Sequence, residues 1–272
     1  MTDVVLAALV YPGLIAVVVL VAITALLGGE RPVLRLVVQP APRPGFDALV
    51  NVASIVMAIA AMIVAPWPLH PAQGDSVVGD LLVLFFCIEA AALMPILAGM
   101  ITRSPLATRA ASRTLQLGVA GRAVIWLAIG ATAIGVGDGP EYWIARALLA
   151  IASVLALPAA LGVGPFAVEW GLTPAGMEEG LSAGEAERAR LARLTRNAVL
   201  IGVTLVYLVP QDTPIISIGV IIGCFLMLTV IFSRLGTLPR FPLPAGLRWC
   251  WFVAAPPAVF ATLWLAWLAA QQ

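Results

Sequence analysis

Two charged residues lie where a lipid bilayer would leave little water to hold them. Glu89 sits in the middle of an apolar run, Phe85-Phe86-Cys87-Ile88-Glu89-Ala90-Ala91, and Arg122 sits about two turns inside the next. An ionised carboxylate at that depth costs several kcal/mol, so it must be protonated, paired or hydrated. Two readings follow. In one, the pair pins two helices together and does nothing else. In the other it is a step in a proton or ion route, which intramembrane charge favours by default. Counting ~1.5 Å per residue from opposite ends of the two runs brings the charges to nearly the same depth, provided the helices pack together. Arg146, near the outer end of a later run, can snorkel to the interface and carries no such weight.

Other chemistry is sparse. His70 stands alone in a Pro-rich loop, and a loop histidine without a partner is far more often plain than a ligand. Cys87, Cys224 and Cys250 are scattered through apolar runs with neither metal nor redox spacing, so they read as packing residues. There is no Walker loop, no G-x-S-x-G, no H-E-x-x-H and no paired Asp-rich motif. The sequence thus predicts no catalytic residue, no cofactor and no metal site in this chain.

The elements that position Glu89 and Arg122 follow from composition. Of 272 residues, 62% are apolar and 11% charged, and the mean hydropathy is +1.05. Soluble domains are nearer a quarter charged. Apolar segments of about 20 residues, each long enough for a ~30 Å hydrocarbon core, recur along the chain. The expectation is an all-α polytopic membrane protein, a single bundle over residues 1–272. Helices are expected at about 4–28, 48–66, 80–101, 115–136, 143–163, 191–210, 213–233 and 247–268, with Pro and Gly at most of the breaks. The first segment is too long for a cleaved signal and is expected to remain as a helix. No basic patch interleaved with aromatics points to nucleic acid.

The charges also give the sidedness. All fifteen basic residues are Arg. Arg31, Arg35 and Arg43 precede the second helix, Arg103, Arg109 and Arg113 the fourth, and Arg188, Arg190, Arg193 and Arg196 the sixth. Arg234, Arg240 and Arg248 surround the last break, leaving Arg122 and Arg146 outside the pattern. Thirteen of fifteen on alternate loops is a strong positive-inside signal. It places the odd-numbered loops in the cytoplasm and both termini on the outer side, which requires an even helix count.

The long cytoplasmic loop, about 164–190, is the segment not adapted to lipid. It opens Gly164-Pro165-Phe166 and carries Glu169, Glu178, Glu179, Glu185 and Glu187 among Trp170, Leu172 and Met177. Here the chain resembles the subunit-1 family of respiratory complex I. The likeness is greatest to its counterparts in membrane-bound nickel–iron hydrogenases and formate hydrogenlyase. Three further places agree with that family: Glu30-Arg31 opening the first cytoplasmic loop, Arg113 at the entry to helix four, and Arg240 followed by Trp251 and Pro256. The chain departs from it at Arg122, where the family carries Glu, and at Ala167, where it carries Asp. These departures lean toward a hydrogenase-type or diverged member over a quinone-reducing one.

The resemblance implies a non-catalytic anchor subunit of an oxidoreductase complex in the inner (cytoplasmic) membrane. Its partners would be hydrophilic oxidoreductase subunits on the cytoplasmic side and antiporter-like membrane subunits, in lipid. Nickel–iron (NiFe) and iron–sulfur centres would belong to those partners. Glu89 and Arg122 are then the ion-relay candidates, and the loop acids Glu169, Glu178, Glu179 and Glu185 would face the redox arm. The alternative is a stand-alone transporter of a small solute or ion, with a mid-membrane site near Glu89 and Pro95.

Overall fold

A computed structural model describes residues 2–28, 45–72, 76–101, 104–135, 139–167, 181, 183–211 and 213–271. Among them ten α-helices appear. They are α1 (Thr2–Leu9), α2 (Leu14–Leu27), α3 (Phe46–Val64), α4 (Leu81–Ile101), α5 (Pro105–Gly135), α6 (Trp143–Leu161), α7 (Ala183–Leu208), α8 (Pro214–Leu235), α9 (Leu243–Arg248) and α10 (Ala255–Ala269). Together they supply eight spans long and apolar enough to cross a membrane, the first from α1 and α2 and the last from α9 and α10. The chain is an all-helical, polytopic membrane protein.

The bundle is arranged around α7. It packs against α2, α3 and more lightly α4, α5, α6 and α8, while α4 lies on α3 and α5, and α10 closes against α6 and α5. Two-thirds of the α7 span (67%) is buried, against 33% for α8. α7 accordingly carries Thr195, Asn197 and Thr204 inside the protein, whereas α8 shows Ile215, Ile216 and Met227 to its surroundings. Lipid replaces water as the solvent for that face, so an exposed isoleucine there is not penalised.

The loops sort into two ends. At one, Tyr11 donates to the Pro68 carbonyl at 2.9 Å and Gln211 Nε2 to the Pro66 carbonyl at 2.9 Å. At the other, Gly164 packs on Leu235 and the Phe241 N–H donates to the Pro165 carbonyl at 2.8 Å. Among the described residues the second end carries Arg109, Arg113, Arg234 and Arg240, and it is called the Arg-rich end below.

Several predicted boundaries move, each for a local reason. α5 starts at Pro105, ten residues before the expected 115, because helix does not end where hydropathy does. Ser104 caps it, its Oγ accepting from the Ala107 N–H at 3.4 Å, with Pro105 in the first turn. α7 likewise begins at Ala183 and carries Arg188 to Arg196 as helix. The first predicted helix is broken at 10–13. Pro12 supplies no N–H there, and Gly13 lies so close to the Ala7 and Ala8 carbonyls that no Cβ fits. The last contains a π-turn, Trp249–Ala254, just before Pro256 and Pro257.

Candidate ion-pair site and the Arg-rich end

α4 and α5 bring Glu89 and Arg122 into contact. Arg122 Nε donates to Glu89 Oε1 at 2.9 Å and to Oε2 at 3.0 Å, and Trp126 Nε1 donates to Oε1 at 2.9 Å. Trp126 is one turn beyond Arg122 on the same helix face, so α5 presents both donors to one carboxylate. Phe85, one turn before Glu89, packs against the Trp126 ring with centroids 5.1 Å apart and the planes inclined at 60°. Arg122 is 3% exposed. Its Nη2 is buried without a hydrogen-bond partner in the protein, so the guanidinium keeps donor capacity beside the carboxylate.

Two glycines shape the site. A Cβ on Gly118 would lie 2.8 Å from Arg122 Nη1, so the guanidinium folds back over the turn before it, as helical side chains do. A Cβ on Gly121 would lie 2.5 Å from the Ala160 backbone nitrogen and 3.0 Å from the Ala156 carbonyl oxygen. Gly121 therefore lets α5 and α6 approach backbone to backbone, which holds Arg122 at its depth.

α4 is interrupted next to this site without unwinding. Pro95 has no N–H, which frees the Ala91 carbonyl four residues earlier. Ser54 Oγ on α3 donates to that carbonyl at 2.6 Å. The hydroxyl supplies the bond that proline removes, as buried backbone in a membrane requires.

A second polar region lies at the Arg-rich end. A partly open cavity of about 360 Å³ reaches inward between α3, α4, α5, α7 and α8, lined among others by Asp47, Asn51, Pro95, Thr114, Arg193 and Asn197. Thr114 lies one turn below Gly118, so one α5 face runs from the cavity to Arg122. Beside the cavity three of the stretches that carried the family resemblance meet, while Glu30-Arg31 lies outside the described residues. Arg113 Nη2 donates to the Phe241 carbonyl at 2.6 Å, next to Arg240, whose charge acts on Arg113. The Phe166, Phe241 and Trp249 rings cluster with centroids 5.5–6.3 Å apart. Burial lowers the Arg240 pKa from its ordinary value. Trp249, not Trp251, does the packing, and its Nε1 donates to the Leu155 carbonyl at 2.9 Å. Trp251 is 52% exposed.

Of the other predicted residues, Glu185 is half-buried at the start of α7 beside Gly45. Glu30, Arg31, Glu169, Glu178 and Glu179 lie outside the described residues. His70 differs from its expectation: it is 4% exposed, with Nε2 2.9 Å from the Ile63 carbonyl and Nδ1 accepting from the Ala72 N–H at 3.1 Å. The loop folds under itself, which proximity in sequence does not announce. Trp126, Ser54 and Gly118 were missed altogether. For Trp126 a signal existed, since it lies four residues after an intramembrane Arg and carries a donor.

The fold has a counterpart among solved structures. A chain of the membrane-bound sulfane sulfur reductase, an archaeal respiratory membrane complex, shares the fold with a TM-score of 0.68. The match covers 97% of this chain and 98% of that one at 17% identity. At that identity the likeness is one of fold, and it runs over the full length of both chains. Neither the protein-family models nor the curated protein sequences give a match.

Proposed function

We propose that the protein is a non-catalytic membrane anchor subunit of a complex I-like respiratory oxidoreductase or membrane-bound hydrogenase-type complex. It holds a hydrophilic redox arm at its Arg-rich end, on the cytoplasmic side of the inner membrane, and links the arm's reaction to ion movement in antiporter-like neighbours. The observation that carries this reading is the full-length fold likeness to a respiratory-complex subunit. The convergence of Arg113, Pro165-Phe166 and Phe241 beside Arg240 supports it, because these are the stretches through which the sequence resembles the subunit-1 family. Glu89 and Arg122 serve as a membrane relay, favoured over a pin by the donor capacity left on Arg122 Nη2.

The cavity at the Arg-rich end favours a second reading, a stand-alone transporter with that cavity as its mouth. Affinity purification from native membranes separates the two. An anchor brings redox subunits and further membrane subunits in fixed proportion, and charge reversal at Glu178 and Glu179 releases the redox subunits while the bundle stays folded. Recovery of the chain alone or as a homo-oligomer would sink the anchor reading and leave the transporter.

A further inference from the structure

The ion pair is shielded on one side and open on the other. The Arg122 side chain is 4% exposed, whereas Glu89 keeps 16% of its side-chain surface accessible. Glu89 shares its helix face with Leu82, Phe85 and Phe86, which are 80%, 46% and 66% exposed. Across the groove α5 shows Val119, 45% exposed, and Ala123, whose small side chain permits close approach. Glu89 does not line the cavity at the Arg-rich end. Its accessible surface opens sideways between α4 and α5, about 12 Å from the helix start at ~1.5 Å per residue. That depth is hydrocarbon.

The carboxylate is also under-used. Oε1 accepts from both Arg122 and Trp126, but Oε2 accepts only the 3.0 Å branch of the Arg122 Nε–H bond. A carboxylate oxygen takes about two hydrogen bonds, and acceptor capacity left facing hydrocarbon is costly. Lipid tails carry no donor. A second copy docked by the same face would oppose Glu89 to Glu89, acceptor to acceptor. A further cation would leave an unbalanced charge, because Glu89 and Arg122 already neutralise each other.

We propose that the α4–α5 face around Glu89 docks a transmembrane helix of another subunit, which brings a neutral donor (a hydroxyl, amide or indole) to the Glu89 carboxylate. This rests on the reading of the chain as a subunit of a larger membrane complex. The test is a photo-crosslinking amino acid at Phe86, and separately at Val119, in the complex purified intact from native membranes, with Phe252 on the last span as control. Both groove probes are expected to join one transmembrane segment of a co-purifying subunit. That segment should have Ser, Thr, Tyr, Asn, Gln or Trp within a turn of the joined residue, and the control should join lipid. Replacing that donor by an apolar residue of similar size is expected to lower recovery of the partner subunit at least tenfold. Groove probes that join lipid, a second copy or a helix without a donor overturn the proposal. If membrane subunits co-purify in full while the probes join lipid, docking fails and the anchor reading stands. If none co-purify, both fail.

Discussion

Around Glu89, polar atoms meet polar atoms at 2.9–3.0 Å inside a shell of Phe85, Trp126 and apolar helix. Around the cavity, Asp47, Asn51, Thr114 and Asn197 line open space. The two regions share α4 and α5, with α3, α7 and α8 completing the cavity, yet they handle polarity in opposite ways. In the first, each group depends on a fixed partner, so removing one strands another. In the second, water can replace any missing partner, so single changes are tolerated. Dependence on fixed partners makes the first region both a structural commitment and a place where moving one proton has consequences.

That contrast is tested hardest by single charge removal. Arg122→Met leaves Glu89 without its cation and is expected to cost ~3–5 kcal/mol, and Glu89→Leu a similar amount. The double replacement Glu89→Leu with Arg122→Met removes both charges and should recover folded yield in detergent. Coupling should not recover: the helix docked on Glu89 loses its acceptor, so less complex assembles, and proteoliposomes of the complex that does assemble are expected to keep the redox step while losing proton or sodium uptake. Normal uptake in the double variant would make the pair a pin.

Next comes the backbone that supports Arg122. Gly121→Ala drives a methyl into the Ala160 backbone, which cannot swing away, and is expected to cost ~1–3 kcal/mol. Gly118→Ala meets only the end of the Arg122 side chain and should cost less, because the guanidinium can shift. Thermal unfolding in detergent orders the two, and a Gly118 variant worse than the Gly121 variant would contradict this packing.

Much of this was legible in the sequence, and the exceptions have physical causes. The eight spans and the Glu89–Arg122 depth match both follow from hydropathy and helical rise. Helix starts did not, because hydropathy marks where the bilayer ends, whereas Ser104-Pro105 marks where the helix begins. The Ser54 bond to Ala91 was invisible because proline shows which carbonyl is freed but not which neighbour supplies the donor. The convergence of Arg113 with Phe241 was not legible, since the two lie 128 residues apart and neither residue type names the other as its partner.

A smaller effect belongs to that Ser54 bond. Ser54→Ala strands the Ala91 carbonyl and is expected to cost ~0.6–1.7 kcal/mol, in the range of membrane hydrogen bonds. Pro95→Ala restores an N–H to the same carbonyl, so in that background Ser54→Ala should cost almost nothing. A double-mutant cycle on unfolding free energy measures the difference, and equal costs in both backgrounds would show that Ser54 acts elsewhere.

The smallest effect is expected in the cavity, at Thr114. Its Oγ1 donates back to the Ala110 carbonyl at 2.9 Å, a bond within its own helix that water can replace. Thr114→Cys should therefore change stability by less than ~0.5 kcal/mol, like other substitutions at solvated positions. The introduced thiol gives a second readout, once Cys87, Cys224 and Cys250 are replaced by alanine. A small, charged, impermeant thiol reagent reaches that thiol only through water entering from the Arg-rich end. Inverted vesicles should label and intact cells should not, the outcome that the positive-inside pattern predicts for that end. Labelling from outside would reverse the sidedness, while no labelling from either side would mean that the cavity is closed to water. In that case Thr114 and Arg122 would share one dry compartment, and the contrast between the two regions would be lost.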